Sequence, residues 1–277
     1  MNTKQIVTAV VAVTIVGAGI YSQAVEHNNK PVRTHTTKYI RPVISSSSHT
    51  ETQVSSSQTA TSFQQKAEQA RQVVVSQLPQ GKYTYSGGSF EYQTDNGLNA
   101  NITSAPYVTL SQTDTLGRTG RADAWLNKTT RQTMTRDKTG NSTTIKPVGW
   151  HQAKIGHTFA YNRGHLIGYA LAGKLPRNRF DASESNRENI MTQTYWANQK
   201  SSSFERGQLY YETLVRKALD SNKRVRYRVT PIYQGNELVA RGTLLQAKSS
   251  DNTLNFNAYV PNIAPEFNID YATGFVK

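Results

Sequence analysis

Near its C-terminus the chain alternates in a way that only a strand can use. In RVRYRV (224–229), Val225, Tyr227 and Val229 fall on one side of an extended backbone and Arg224, Arg226 and Arg228 on the other. That is the pattern of a strand with one buried face and an ordinary solvated basic face. Further β-like runs are SFEYQT (89–94), PYVTLS (106–111), ADAWL (122–126), ELVARGTLLQA (237–247) and LNFNAYV (254–260). GQLYYETLVRKALDSN (207–222) instead spaces Leu209, Leu214 and Leu219 roughly as a helix does, with Lys and Arg toward its end. These elements predict an α+β fold built on antiparallel strands with a few helices. No internal repeat is present. At 277 residues the chain is long enough for a sizeable hydrophobic core.

The first part of the chain reads differently. Lys4 precedes IVTAVVAVTIVGAGI (6–20), and SQA (22–24) places small residues where a signal peptide is cleaved. Residues 1–24 are therefore expected to be an export signal. The uncharged stretch runs on to Val25, which leaves an uncleaved anchor as the alternative. Residues 25–62, rich in Ser, Thr and Gln, read as a disordered linker. FQQKAEQARQVVVSQL (63–78) has helical composition and stops at Pro79, so a leading helix opens a domain spanning 63–277.

Charge and cysteine content narrow the function. Thirty-two Lys and Arg stand against 18 Asp and Glu, a net charge of +14. Residues 80–277 hold 25 of the former and 15 of the latter, so +10 belongs to the folded part. Such an excess favours a polyanionic partner such as nucleic acid, the alternative being a cationic secreted protein whose charge serves solubility. No cysteine is present, which excludes disulfides and Cys-based zinc sites. A metal would need oxygen ligands or histidines, and only His151, His157 and His165 lie in the folded region.

The segment YNRGHLIGYALAG (161–173) sets His165 beside Arg163 and Gly164, ahead of an apolar run. It reads either as a turn before a helix or as a catalytic histidine held at a helix start. Phosphodiester hydrolysis needs a base for water, a cation for the phosphate, and a donor or metal-bound water at the leaving oxygen. Imidazole suits the first task. Mg²⁺ keeps several waters, so one Asn carbonyl plus substrate oxygens would hold it. NRENIMTQTYWANQ (186–199) supplies Asn186, Asn189, Gln193 and Asn198 among apolar residues, and buried amides demand partners. Capping and turn formation account for Asn186, and a structural role for Asn198 stays open on these residues alone.

NRGH (162–165), NRENIMTQTYWANQ and GQLYYE, in that order, resemble the DNA/RNA non-specific endonucleases of the ββα-metal (His-Me finger) type, secreted streptococcal DNases among them. The likeness runs from about residue 81 to the C-terminus. It implies a central antiparallel sheet with flanking helices and a secreted enzyme. The implied chemistry is Mg²⁺-dependent (Mn²⁺ an alternative) cleavage of DNA and RNA without sequence preference, leaving 5′-phosphates. By position, the resemblance makes His165 the general base and Asn198 the metal ligand. Asn189 and Asn186 would shape the site and hold the histidine or phosphate, with Gln193 behind them. Glu212 would bind metal-coordinated water, Glu205 being the competing acid. LGRTGRADAW (117–126) would carry a phosphate-stabilising arginine, Arg118, and Arg163 belongs to the motif as a further substrate contact. Where the motif has Asp this chain has Asn162, a neutral acceptor expected to orient the imidazole rather than react. His151 is expected to be structural. The rival readings are a surface nucleic-acid-binding or DNA-uptake protein with little turnover, and a cell-wall hydrolase, for which no paired-carboxylate site is evident.

Overall fold

The computed structural model describes residues 51–135 and 144–277. The expected signal and most of the expected linker lie outside these residues. Helix α1 (Glu51–Val73) leads through a 3₁₀ turn at Val75–Gln77 to strands β1 (Tyr83–Ser86), β2 (Ser89–Tyr92), β3 (Tyr107–Leu110) and β4 (Ala122–Leu126). A second 3₁₀ turn, Lys128–Thr130, precedes β5 (Lys154–Ile155), β6 (Thr158–Phe159) and β7 (Tyr161–His165). Then come α2 (Tyr169–Ala172), β8 (Ile190–Thr194), α3 (Tyr195–Gln199) and α4 (Gln208–Asp220). The chain closes with β9 (Val225–Ile232), β10 (Gly242–Ser249) and β11 (Asn255–Pro261).

Seven strands form one antiparallel sheet in the order β1-β2-β11-β10-β9-β4-β3. The alternating segment is its β9, and Val225, Tyr227 and Val229 are completely buried. Val215, Leu219 and Tyr211 of α4 join the same core on that face. On the opposite face Ala67 and Ala70 of α1, with Val74 just after the helix, pack with Phe90, Leu244 and Tyr259. Burying both faces of an antiparallel sheet under helices is the α+β arrangement the element list predicts.

The basic face of β9 departs from the expected solvated surface. Arg226 and Arg228 both ion-pair with Asp123 of β4, at 2.8 and 3.1 Å, and Asp123 is buried. The register sets Asp123 opposite Arg228, so the carboxylate lies between two guanidinium groups. Helix α1 also departs from expectation. It begins at Glu51, inside the stretch assigned to the linker, because Ser, Thr and Gln are tolerable helix formers and no Gly or Pro interrupts 51–73. Among the described residues no helix is long and apolar enough to cross a membrane.

Outside the main sheet, β7 and β8 pair antiparallel, with His165 opposite Ile190 and Asn162 opposite Gln193. Helix α3 follows β8 directly, its first turn capped by the Thr194 hydroxyl, which accepts from Ala197 N. This strand–strand–helix unit carries the histidine and the amides. His165 therefore ends a strand and does not stand at a helix entry, since α2 begins only at Tyr169.

Candidate active site

A cleft of about 370 Å³ opens on the β7–β8–α3 unit, lined by His165, Asn162, Arg163, Asn198, Trp150 and Glu184, with Phe159 at its rim. It gathers the strand and helix that carry NRGH and the end of NRENIMTQTYWANQ.

The amides behind the cleft form a directed chain. The Glu212 carboxylate can only accept when ionised, so Gln208 turns its Nε2 toward it, at 2.9 Å, and toward the backbone carbonyl of His165. Gln208 Oε1 is then free to accept from Gln193 Nε2 at 3.2 Å. Gln193 Oε1 in turn accepts from Asn198 Nδ2 at 3.0 Å. Each amide passes its orientation to the next, and the last, Asn198, has its carbonyl oxygen left for the cleft side. There Asn162 Nδ2 donates to it at 3.3 Å. Gln193 and Gln208 are buried, so an amide turned the wrong way would leave polar atoms unpaired.

Two glycines make room for this chain. A Cβ on Gly164 would stand 2.1 Å from Gln193 Oε1, and one on Gly168 would stand 2.7 Å from Glu212 Oε2. Bare backbone at these positions lets Gln193 lie across β7 and lets the Glu212 carboxylate approach the segment after His165.

Asn189 acts as a backbone clamp. It is completely buried, donates from Nδ2 to Ile167 O at 3.1 Å and accepts from Ile167 N at 3.0 Å. Its own carbonyl accepts from Leu166 N at 2.9 Å. These bonds fix the two residues that follow His165.

Among the described residues that line the cleft, the cation is Arg163. Its Nε donates to Ile145 O, and its guanidinium lies 4.7 Å from the Trp150 ring. Its terminal nitrogens have no hydrogen-bond partner among the described residues.

Other expected site residues lie elsewhere. Arg118 is not among the cleft residues. It pairs with Asp114 at 2.7 Å, donates to the carbonyls of Gly235 and Glu237, and stacks on Tyr233. Asn186 forms the turn before β8, donating to Asp181 O and accepting from Glu188 N, and lines a separate groove with Arg177 and Arg179. Glu205 ion-pairs with Lys200 at 2.9 Å and takes no part in the amide chain. His151 stacks on Phe275, ring centres 3.9 Å apart.

Sequence reasoning missed Gln208, Glu184, Trp150 and Phe159. Gln208 had a signal, because it precedes Glu212 by one helical turn within the quoted GQLYYE. The other three show none, since folding alone brings them to the cleft.

Residues 99–251 match the family model described as DNA/RNA non-specific endonuclease. The crystal structure of NucA from Streptococcus agalactiae with a magnesium ion bound is 40% identical, with a TM-score of 0.68. That likeness covers 76% of this chain and 95% of the other. A deoxyribonuclease from Streptococcus dysgalactiae subsp. equisimilis is 36% identical over 112 residues, 40% of this chain but only 31% of that relative's length. The Sda1 nuclease with a bound zinc ion, 23% identical with a TM-score of 0.50 over 61% of this chain and 79% of that one, shares the fold.

Proposed function

The chain belongs to the DNA/RNA non-specific endonuclease family, and on that premise we propose that it hydrolyses phosphodiester bonds of DNA, and of RNA, at the His165 cleft. The observation that carries this reading is the directed amide chain ending on Asn198 in the cleft that holds His165.

The residues fit a divalent cation of the hard kind. Asn198 offers a carbonyl oxygen whose orientation Glu212 sets through two glutamines. Among the described residues no three His, Asp or Glu side chains gather to hold a metal. Asn198 would thus hold an ion that keeps most of its own water, which is the habit of Mg²⁺. When bound, Mg²⁺ supplies positive charge to the phosphate and the leaving oxygen.

The remaining steps belong to the chain. His165 takes a proton from the attacking water, whose oxygen bonds to phosphorus as the bond to the 3′-oxygen breaks; the 3′-oxygen takes a proton from solvent water to become a hydroxyl, and the 5′-phosphate stays on the other fragment. Arg163, braced on Trp150 and Ile145 O, meets the phosphate with its terminal nitrogens, taking the role expected of Arg118. Asn189 is a positioning residue for His165, and Glu212 orients Asn198 through Gln208 and Gln193. Contacts confined to phosphate, sugar and stacking surfaces account for the lack of sequence preference. The reading includes export, on Lys4 and the apolar run 6–20.

The test is His165→Ala, assayed on plasmid and single-stranded DNA with Mg²⁺ and with EDTA. Cutting should fall by roughly 10²–10⁴-fold, as for loss of a general base. Glycine at this position with added imidazole should restore part of it. Cutting at the wild-type rate by the alanine variant removes His165 as the base. A wild-type protein that binds DNA and leaves it intact at low protein-to-DNA ratio returns the chain to the binding-protein reading.

A further inference from the structure

The rim of the cleft carries a feature the hydrolytic chemistry does not use. Phe159 is 57% exposed, and of the exposed large apolar side chains among the described residues it is the one that lines the cleft. It sits on the β5–β6 hairpin, whose turn Gly156 closes with φ +56, and it pairs across the hairpin with Lys154. The base of the hairpin is tied down. Gln152 donates to Tyr161 O at 2.8 Å and accepts from Tyr161 N at 2.9 Å, and Ala160 N donates to Ala153 O at 2.9 Å. The ring is therefore held out toward solvent by a braced hairpin joined to the strand that bears Arg163 and His165.

We propose that Phe159 is a stacking platform for a nucleobase of the strand being cut, so that this cleft takes nucleic acid whose bases are unpaired beside the scissile phosphate. The proposal rests on the nuclease reading above. The neighbouring Trp150 already carries the Arg163 guanidinium, so Phe159 is the cleft ring with an open face. Lys154, the cross-strand partner of Phe159 in the hairpin, brings a cationic side chain to the same face, suited to an adjoining phosphate. Alternating charge and aromatic surface is what a single strand requires. Inside a duplex a base is covered on both faces, so it must unstack before it can lie on Phe159. Every base presents a π-face, so the platform would bind without choosing sequence.

The experiment compares wild type, Phe159→Ala and Phe159→Trp on a short single-stranded oligonucleotide, on the same oligonucleotide with abasic sites, and on duplex DNA. All assays use the full chain with Mg²⁺, and thermal melting establishes that each variant is folded. Phe159→Ala should lower kcat/KM on the single strand about tenfold, mostly through KM, as loss of one base–aromatic stack would. Phe159→Trp should keep most of the wild-type value. On the abasic strand the difference between Phe159→Ala and wild type should largely vanish. Equal cutting of the intact single strand by Phe159→Ala and wild type overturns the platform and leaves the nuclease reading standing. The same loss on the abasic strand, or in Phe159→Trp, also overturns it. A wild-type chain that cuts no strand overturns both readings.

Discussion

Gly164 shows how much of this site depends on what a residue lacks. Gln193 occupies the space where a side chain on residue 164 would be, and through it Asn198 is held with its oxygen toward the cleft. Gly164→Ala should therefore push the Gln193 amide aside, lowering activity more than it lowers stability. Cutting rate and melting temperature measured together check this, and a variant that cuts like wild type would show that Gln193 is dispensable. Gln208→Leu tests the same chain from its other end. It strips Glu212 and the His165 carbonyl of their shared donor and Gln193 of its acceptor. Leaving the buried Gln193 amide without its acceptor should cost about 1–3 kcal/mol of stability and raise the Mg²⁺ concentration needed for half-maximal cutting. An unchanged Mg²⁺ requirement would argue against orientation passing through Gln208. Asn162 also gains a reason. Its amide donates to Asn198 Oδ1, which a carboxylate at that position could not do when ionised. At this scale the sequence made His165 and the amides legible, because a histidine in a motif and a dense set of amides are chemical signals. Arg118 lies outside the cleft, ion-paired with Asp114 four residues earlier in the sequence. Phe159 was illegible because exposure is a property of the fold.

The strands were legible where apolar residues alternate or cluster along the sequence and illegible where they do neither. β9 shows its alternation, and β4 falls on the predicted residues 122–126. β8 is buried at all five positions and three of its residues are polar, so no period-two pattern survives. Its backbone is satisfied from outside, by Asn262, which accepts from Thr194 N and donates to Thr192 O. β5 and β6 have two residues each, too few to show any period. The contact of α4 with the sheet carries a further test. Tyr227 is completely buried on β9, and its hydroxyl has no hydrogen-bond partner among the described residues. Tyr211 of α4 is as deeply buried but bonds to Glu91 at 2.9 Å and to Ser89. Tyr227→Phe should accordingly be neutral or stabilising by up to about 1 kcal/mol, whereas Tyr211→Phe should destabilise by about 1–2 kcal/mol. Urea unfolding of the two variants decides it. A Tyr227→Phe loss as large as that of Tyr211→Phe would mean that the Tyr227 hydroxyl is bonded in solution.

Across the whole molecule, the composition announced a cationic chain but not the consequence of where its tyrosines lie. The chain has fifteen tyrosines. The fold buries several of them so deeply that their phenolic protons are held past the usual range. Burial pushes Tyr233 up to about 12, with the Thr119 bond and the nearby Arg118 charge resisting. Burial likewise raises Tyr161, Tyr211, Tyr227, Tyr259 and Tyr271. Below about pH 10 these groups are protonated in both the folded and the unfolded chain, so they give stability no pH slope. Above it the unfolded chain releases its tyrosine protons while the folded one keeps them. The folded state then binds more protons, and stability must fall as pH rises. Because both faces of the sheet contribute such residues, the losses add within one cooperative unit. Unfolding midpoints should therefore hold steady up to about pH 9 and drop steeply by about pH 11, with tyrosinate absorbance appearing together with loss of structure. Midpoints unchanged across that interval would show that these phenols reach solvent in the native state.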